Sequence, residues 1–146
     1  MFHFDMKLTL KFDTQASKQD FETRLDKELC NRFDLQSRGS HIILKFLKTD
    51  HNLVRTNLIE SKGAGRIISE GESIEIFKEV GSPRDFVKQF GIGSFEGSHG
   101  IGHTRMATES AVTTMAAHPF STGFDQCLVH NGSLSNHNSI RRQLVS

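Results

Sequence analysis

Three short segments in the last third of the chain carry side chains suited to binding an amino acid and cleaving an amide. They are residues 102–108, 118–120 and 129–136. A site of this kind needs a planar cation for the α-carboxylate, and a guanidinium supplies two parallel hydrogen bonds to it. It also needs two donors held ready around the carbonyl oxygen, which becomes an oxyanion on attack. Both kinds of group occur in these segments.

Arg105, with the hydroxyl of Thr108 beside it, has the chemistry of a carboxylate clamp. The side-chain amide of Asn131 and the backbone N–H of Gly132 can donate to an oxyanion, and glycine lets the backbone approach closely. Taken singly, each signal has an ordinary explanation. An isolated arginine is more often a surface or ion-paired residue, and Asn-Gly is more often a hairpin turn. Their joint occurrence with His118-Pro119 favours the functional interpretation.

In this order the residues resemble the class II glutamine amidotransferases. That family carries a His-Thr-Arg-x-Ala-Thr stretch, then His-Pro, then His-Asn-Gly followed by an Asn. Here these fall at 103–108, at 118–119, and at 130–132 with Asn136. The runs 102–144 and 76–81 look more narrowly like the stand-alone amidotransferase subunits of glutamate-synthase-like and N-methylglutamate-synthase-like complexes.

The resemblance implies a fold, a function and a set of roles. The fold would be a four-layer α/β/β/α N-terminal-nucleophile hydrolase sandwich. The function would be hydrolysis of the glutamine side-chain amide to glutamate and ammonia for a partner synthase subunit or domain, with no cofactor and no metal. Arg105, Thr108 and His118 would bind substrate, Asn131 and Gly132 would form the oxyanion hole, and Asn136 would support the site.

The nucleophile of the family has no counterpart in this sequence. It is an N-terminal Cys followed by Gly-Ile, whereas this chain begins Met1-Phe2 and Cys30 is followed by Asn31-Arg32. We therefore expect residues 1–146 to be a partial amidotransferase domain, inactive as it stands and lacking the N-terminal Cys and the C-terminal part. The alternative is a non-catalytic amidotransferase-like module that binds a partner or senses an amino acid, which the missing Cys favours.

Composition narrows the remaining classes of function. Lys plus Arg number 18 and Asp plus Glu 17, so no charge excess points to nucleic acid or a membrane surface. Two cysteines make no disulfide framework and no signal peptide is evident, which favours a cytoplasmic protein. His99 and His103 have the spacing of zinc ligands on a helix, but the surrounding glycines argue against a helix and against a metal site.

Residues 5–90 are charged and periodic, and they predict an α+β region that could be an inserted ferredoxin-like unit. We expect strands at 7–12, 41–48, 66–69 and 73–80, with a short helix somewhere in 52–60. A four-residue spacing predicts one helical stripe formed by Phe21, Leu25, Leu29 and Phe33. Ser82 should cap a further helix that ends at Gly91.

Residues 91–146 form the glutamine-site segment, rich in Gly, Ser, Thr, His and Asn. A strand is expected at 127–130, where Cys127 would be a small buried hydrophobic residue. A tight turn at Asn131-Gly132 should follow it. The last helix should begin near Ser135 or Asn136 and bury Ile140 and Leu144.

Overall fold

The computed structural model describes residues 3–61, 65–104, 113–132 and 135–145, the side chain of residue 137 excepted. Six strands and four α-helices occur there, with single 3-10 turns at Lys48–Asp50 and Ile92–Ser94. The order is β1 (Met6–Lys11), α1 (Gln15–Leu29), β2 (Phe33–Arg38), β3 (His41–Phe46), α2 (His51–Glu60), β4 (Arg66–Gly71), α3 (Pro83–Phe90), β5 (Phe120–Gly123), β6 (Gln126–Leu128) and α4 (His137–Val145).

The first four strands form one antiparallel sheet in the order β2-β3-β1-β4. With α1 after β1 and α2 after β3, the connectivity is β-α-β-β-α-β, which is the ferredoxin-like arrangement. The α+β class expected from the sequence is confirmed. The two central strands are β3, between β2 and β1, and β1, between β3 and β4.

One face of this sheet carries the main hydrophobic core. Alternate residues of β1 and β3 point to the same face, as the two-residue repeat of a strand requires. They pack against the apolar stripes of α1 and α2, and the buried set is Met6, Leu8, Leu10, Phe21, Leu25, Leu29, Ile42, Leu44, Phe46, Val54 and Leu58.

Helix α1 ends earlier than its spacing predicts. Thr14 caps its start by accepting a hydrogen bond from the Ser17 N–H (3.1 Å), and Cys30 ends it in the left-handed conformation with φ 47°. Phe33 therefore does not continue the helical stripe. It opens β2, where it pairs with Phe46 of β3, so the prediction for this residue was wrong.

Residues 73–80, here called the strap, cross the other face of the sheet without joining it as a strand, which corrects the predicted strand there. Their backbone bonds to side chains instead of to a neighbouring strand. The Ile76 N–H donates to Ser69 Oγ (3.2 Å), and Ser69 in turn donates to Thr9 Oγ1 (2.8 Å). The polar residues of this face are thereby satisfied, as buried polar groups must be.

Helix α3 has the ends predicted for it. Ser82 Oγ accepts from the Asp85 N–H (3.2 Å), Pro83 occupies the first turn, and Gly91 closes the helix with φ 65°. The helix is held at its end by Phe90, whose buried ring lies 5.2 Å from each of the rings of His41 and Phe77.

Strands β5 and β6 form a hairpin whose turn lies at Phe124-Asp125, whereas Asn131-Gly132 follows β6 as irregular chain. Cys127 in β6 was expected to be a small buried residue, but it is only half-buried. Helix α4 exposes 37% of Ile140 and 81% of Leu144, so the prediction that these two residues are buried was also wrong. Within the described ranges, no helix is long and apolar enough to cross a membrane.

Candidate functional site

A cleft of about 760 Å³ is lined by the end of the strap, by α3 and by two further parts of the chain. These are residues 101–104 and residues 113 and 116–119, which precede and follow Arg105 in the sequence. One wall is apolar and consists of Phe77, Val80, Pro83, Phe86, Val87 and Ile101. The polar part of the lining, here called the polar wall, includes Glu79, His103, Thr104, Thr113 and His118. A few polar groups set against an apolar wall are typical of small-molecule sites.

Two of the three predicted motif segments meet in this cleft. The ring of His103 lies 4.6 Å from that of His118, and His118 makes an edge-on contact with Phe120 at 4.7 Å. His118 is half-buried, and Pro119 after it also lines the cleft. The His-Thr-Arg and His-Pro segments, 15 positions apart in sequence, therefore contribute to one wall.

The remaining predicted residues are not placed together with them. Arg105 and Thr108 lie outside the described residues. Asn131 and Gly132 are both exposed, and Gly132 lies against the ring of His130. Neither residue belongs to the described lining of the cleft. Asn136 is exposed, and its carbonyl accepts the first backbone hydrogen bonds of α4, from Ser139 and Ile140.

Glu79, on the polar wall, accepts hydrogen bonds from four described residues. Oε2 accepts from Lys11 Nζ (2.9 Å) and Ser40 Oγ (2.5 Å). Oε1 accepts from Lys11 Nζ (3.2 Å), Thr114 Oγ1 (3.3 Å) and the Val80 N–H (3.1 Å). Although burial opposes ionisation, the hydrogen bonds from Ser40, Lys11 and Val80 together lower the pKa of Glu79 to about 2. The carboxylate is thus a fixed anion.

His41 is fully buried beside Glu79 and belongs to the same network. Burial and the nearby Lys11 ammonium lower its pKa to about 4, so the ring is neutral near pH 7. Because Ser40 gives its proton to Glu79, its oxygen can accept from Nδ1 of His41 (3.0 Å). The other nitrogen, Nε2, then accepts from the Lys78 N–H (3.4 Å), which assigns the proton to Nδ1.

Lys78 places a buried cation near the His118 side of the site. Its Nζ lies 4.8 Å from the centre of the Phe120 ring, and burial lowers the pKa of the ammonium. A cation over an aromatic face is favourable, and it fixes the ring that contacts His118.

The sequence did not single out Glu79, His41 or Lys78 as site residues. The signal available was the polar alternation of Lys7, Thr9 and Lys11 along β1, which indicates a second sheet face that needs polar partners. This alternation does not predict that the polar partners come from the strap.

Neither cysteine belongs to the cleft lining. Cys30 is exposed at the end of α1, and Cys127 is half-buried in β6. The described part of the chain contains no group of three or more His, Cys, Asp or Glu residues that could hold a metal ion.

Three proteins with glutamine amidotransferase or aminotransferase names are similar in sequence to this chain. The chain is 65% identical over 108 residues to the glutamine amidotransferase-like protein GlxB of Rhizobium meliloti, covering 74% of this chain and 36% of that protein. It is 39% identical to a putative glutamine amidotransferase of Methanothermobacter thermautotrophicus, over 53% of this chain and 26% of the relative. It is 34% identical to glutamine--fructose-6-phosphate aminotransferase (isomerizing) of Streptococcus pyogenes, over 57% and 14%.

The chain thus spans between 14% and 36% of the length of these relatives. No protein-family model matches it, and no solved structure does. The named relatives support a relationship to the glutamine amidotransferases.

Proposed function

We propose, from this relationship, that the chain is part of a class II glutamine amidotransferase domain. The domain hydrolyses the side-chain amide of glutamine to glutamate and ammonia, and a partner synthase subunit or domain receives the ammonia. The observation that carries the proposal is that His103-Thr104 and His118-Pro119, from two separate family motifs, line one cleft. A volume of about 760 Å³ has ample room for an amino acid.

Arg105 follows Thr104 directly in the sequence, and it binds the α-carboxylate of glutamine in this proposal. Thr108 adds a hydroxyl donor, and His118 forms part of the same substrate site. Asn131 and Gly132 donate hydrogen bonds to the oxyanion, once the domain has its four-layer N-terminal-nucleophile architecture. No step in this chemistry calls for a cofactor or a metal.

The nucleophile in this proposal is an N-terminal cysteine of the intact protein. Cys30 and Cys127 do not serve, because neither stands in a Cys-Gly-Ile sequence or lines the cleft. We therefore expect the 146-residue chain, expressed as written, to release no glutamate from glutamine above the buffer rate. Turnover that is lost in Cys30→Ser would contradict this assignment and identify Cys30 as the nucleophile.

Binding tests the site without requiring turnover. We expect L-glutamine, added to the isotope-labelled chain, to shift the NMR signals of His103, Thr104 and His118. Arg105→Lys should weaken this binding by at least about tenfold, because an ammonium cannot hold both carboxylate oxygens as the guanidinium fork does. Arg84→Lys, at an exposed position in the first turn of α3, is the matched control and should bind as the wild type does.

Two results would count against the proposal. One is that L-glutamine shifts no signal around the cleft. The other is that Arg105→Lys and Arg84→Lys bind equally well, in which case Arg105 is not the carboxylate clamp.

A non-catalytic amidotransferase-like module is the second candidate, favoured because these 146 residues contain no Cys-Gly-Ile sequence. The DNA upstream of the Met1 codon separates the two, since an in-frame Met-Cys-Gly-Ile start supports the enzyme. Glutaminase assays on the complete gene product follow. If it is the enzyme, Asn131→Ala should lower kcat by about two to three orders of magnitude, because an oxyanion donor is lost. Glutamine binding without ammonia release supports the module.

A further inference from the structure

Two lysine–glutamate pairs join the strap to β1. Lys7 Nζ lies 2.9 Å from Glu75 Oε1, and Lys11 Nζ lies 2.9 Å from Glu79 Oε2. The two lysines are four residues apart in β1, and the two glutamates are four residues apart in the strap. The two ion pairs therefore hold the strap to β1 at two points along the strand. They differ in their other contacts, because among the described residues only the Lys11–Glu79 pair also bonds to Ser40, between β2 and β3, and to a third segment later in the chain.

That third segment is the turn at residues 113–117. Thr114 Oγ1 donates to Glu79 Oε1 (3.3 Å) and accepts from Lys11 Nζ (3.2 Å). The Thr114 hydroxyl is therefore hydrogen-bonded to both partners of the Lys11–Glu79 ion pair. The turn is closed by two of its own bonds, from the Ala117 N–H to the Thr114 carbonyl and from the Ala116 N–H to Thr113 Oγ1.

Thr114 is six positions beyond Thr108 in the sequence, and Thr113 and Glu79 line the cleft together. Whatever fixes Thr114 therefore fixes one end of the stretch that contains Arg105 and Thr108. Glu79 is well suited to do this. It is held by Lys11, Ser40 and the Val80 N–H independently of Thr114, so its carboxylate is a rigid anchor and not a side chain that follows the turn.

We propose that Glu79 is a positioning residue which, through Thr114, ties the chain carrying the carboxylate clamp to the sheet at the edge of the cleft. The tie itself follows from the contacts of Glu79. Its consequence for glutamine rests on the proposed function.

Hydrogen exchange measures the tie directly on the isolated chain. In Glu79→Gln the anchor loses its charge, and in Thr114→Val the turn loses its hydroxyl while keeping its branched shape. Both variants should speed amide exchange at Ala116 and Ala117 by about tenfold, since a hydrogen bond to a charged group is among the stronger kinds. Glu75→Gln removes the parallel ion pair and is the matched control, in which exchange at Ala116 and Ala117 should not change.

The double variant Glu79→Gln/Thr114→Val sharpens the test. If the two residues act as one tie, the double variant should exchange as fast as either single variant, and no faster. Thr114→Val also stands alone if Glu79→Gln fails to fold. Unchanged exchange at Ala116 and Ala117 in the folded variants would overturn the tie.

Glutamine affinity, read by the same NMR titration, tests the positioning role. We expect it to fall by at least about fivefold in Glu79→Gln and Thr114→Val and to stay at the wild-type value in Glu75→Gln. Faster exchange with unchanged affinity would overturn the positioning role while the tie stands. If the wild-type chain binds no glutamine, the proposed function fails and the role in glutamine binding fails with it, while the exchange data still decide the tie.

Discussion

Among single residues, His41 should make the stability of the fold depend on pH. Its pKa is lowered from 6.5 to about 4 by burial and by Lys11. Between these two pH values, His41 is therefore protonated in the unfolded chain and neutral in the folded chain. Stability therefore rises with pH across this window. The full shift corresponds to about 3 kcal/mol. Urea unfolding at a series of pH values between 4.5 and 7 measures the slope.

The variant His41→Phe isolates this effect, because it keeps a ring against Phe77 and Phe90 but cannot titrate. Its slope between pH 4.5 and 6.5 should be clearly smaller than that of the wild type. Titration of Glu79 contributes little to the difference in slope between the wild type and His41→Phe in this pH range. Its pKa is lowered from 4.5 to about 2, so its contribution is complete above pH 4.5 and is lost only as the pH falls toward 2. Equal slopes would show that His41 is not a buried neutral ring.

At the scale of the elements, the side chain of Asp125 joins the hairpin β5–β6 to the chain that follows β4. Asp125 accepts hydrogen bonds from three successive backbone N–H groups, those of residues 72–74, each at 2.9 Å. These bonds outweigh the effect of partial burial and lower its pKa. Its own N–H donates to the Glu70 carbonyl (3.0 Å). A two-stranded hairpin is marginal by itself, so we expect this anchor to contribute strongly to its docking, beside the contacts of Lys48 with Phe124 and of Lys78 with Phe120.

Asp125→Ala should therefore release the hairpin without unfolding the sheet. We expect amide exchange at Ser121 and Cys127, which pair across the hairpin, to speed up by about tenfold while exchange in β1 and β3 stays unchanged. Glu72→Gln, an exposed change next to the same backbone amides, is the control. Exchange in β5 and β6 that stays at the wild-type rate would show that the hairpin is held by something other than Asp125.

The elements also show where sequence reasoning succeeds and where it fails. Helix α3 was predicted from Ser82 to Gly91 because both of its ends are specified by local backbone chemistry. Phe33 was assigned to α1 because its spacing fits the helical stripe, but the left-handed backbone at Cys30 ends the helix first. The strap alternates like a strand, yet it bonds to side chains of the sheet, and no local pattern encodes such a partner.

The same limit applies to the candidate site. His118 was predicted as a site residue from a family motif, and it lines the cleft together with His103, which stands in another family motif. Glu79 and Thr114 belong to no chemical motif. Their importance comes from meeting each other and Lys11 over separations of 35 residues or more, which only the folded chain reveals.

For the whole molecule, stability should come mainly from residues 3–90. Every buried apolar residue in the described part of the chain lies there, and the described residues beyond 90 are exposed or half-buried. Leu25→Ala, in the core of α1, should lower the free energy of unfolding by about 2–5 kcal/mol. Leu144→Ala, at a residue 81% exposed in α4, should change it by less than about 0.5 kcal/mol. Urea denaturation of both variants makes the comparison.

A large loss in Leu144→Ala would mean that α4 is packed in solution, against another copy of the chain or another part of this one. Light scattering at two concentrations separates these cases, because only association between copies depends on concentration. The expected result is a loss confined to Leu25→Ala at every concentration.

The central place of β1 also governs the order in which the molecule can assemble during synthesis. Strand β1 is made before both of its partners, so it can pair fully only after β3 and then β4, which ends at Gly71, have been made. Because chains emerge from the ribosome N-terminus first, at about 5–20 residues per second, the sheet can close seconds before the hairpin and α4 are made. Residues 91–145, which include the candidate site segments, are therefore made last, after the strands of the four-stranded sheet.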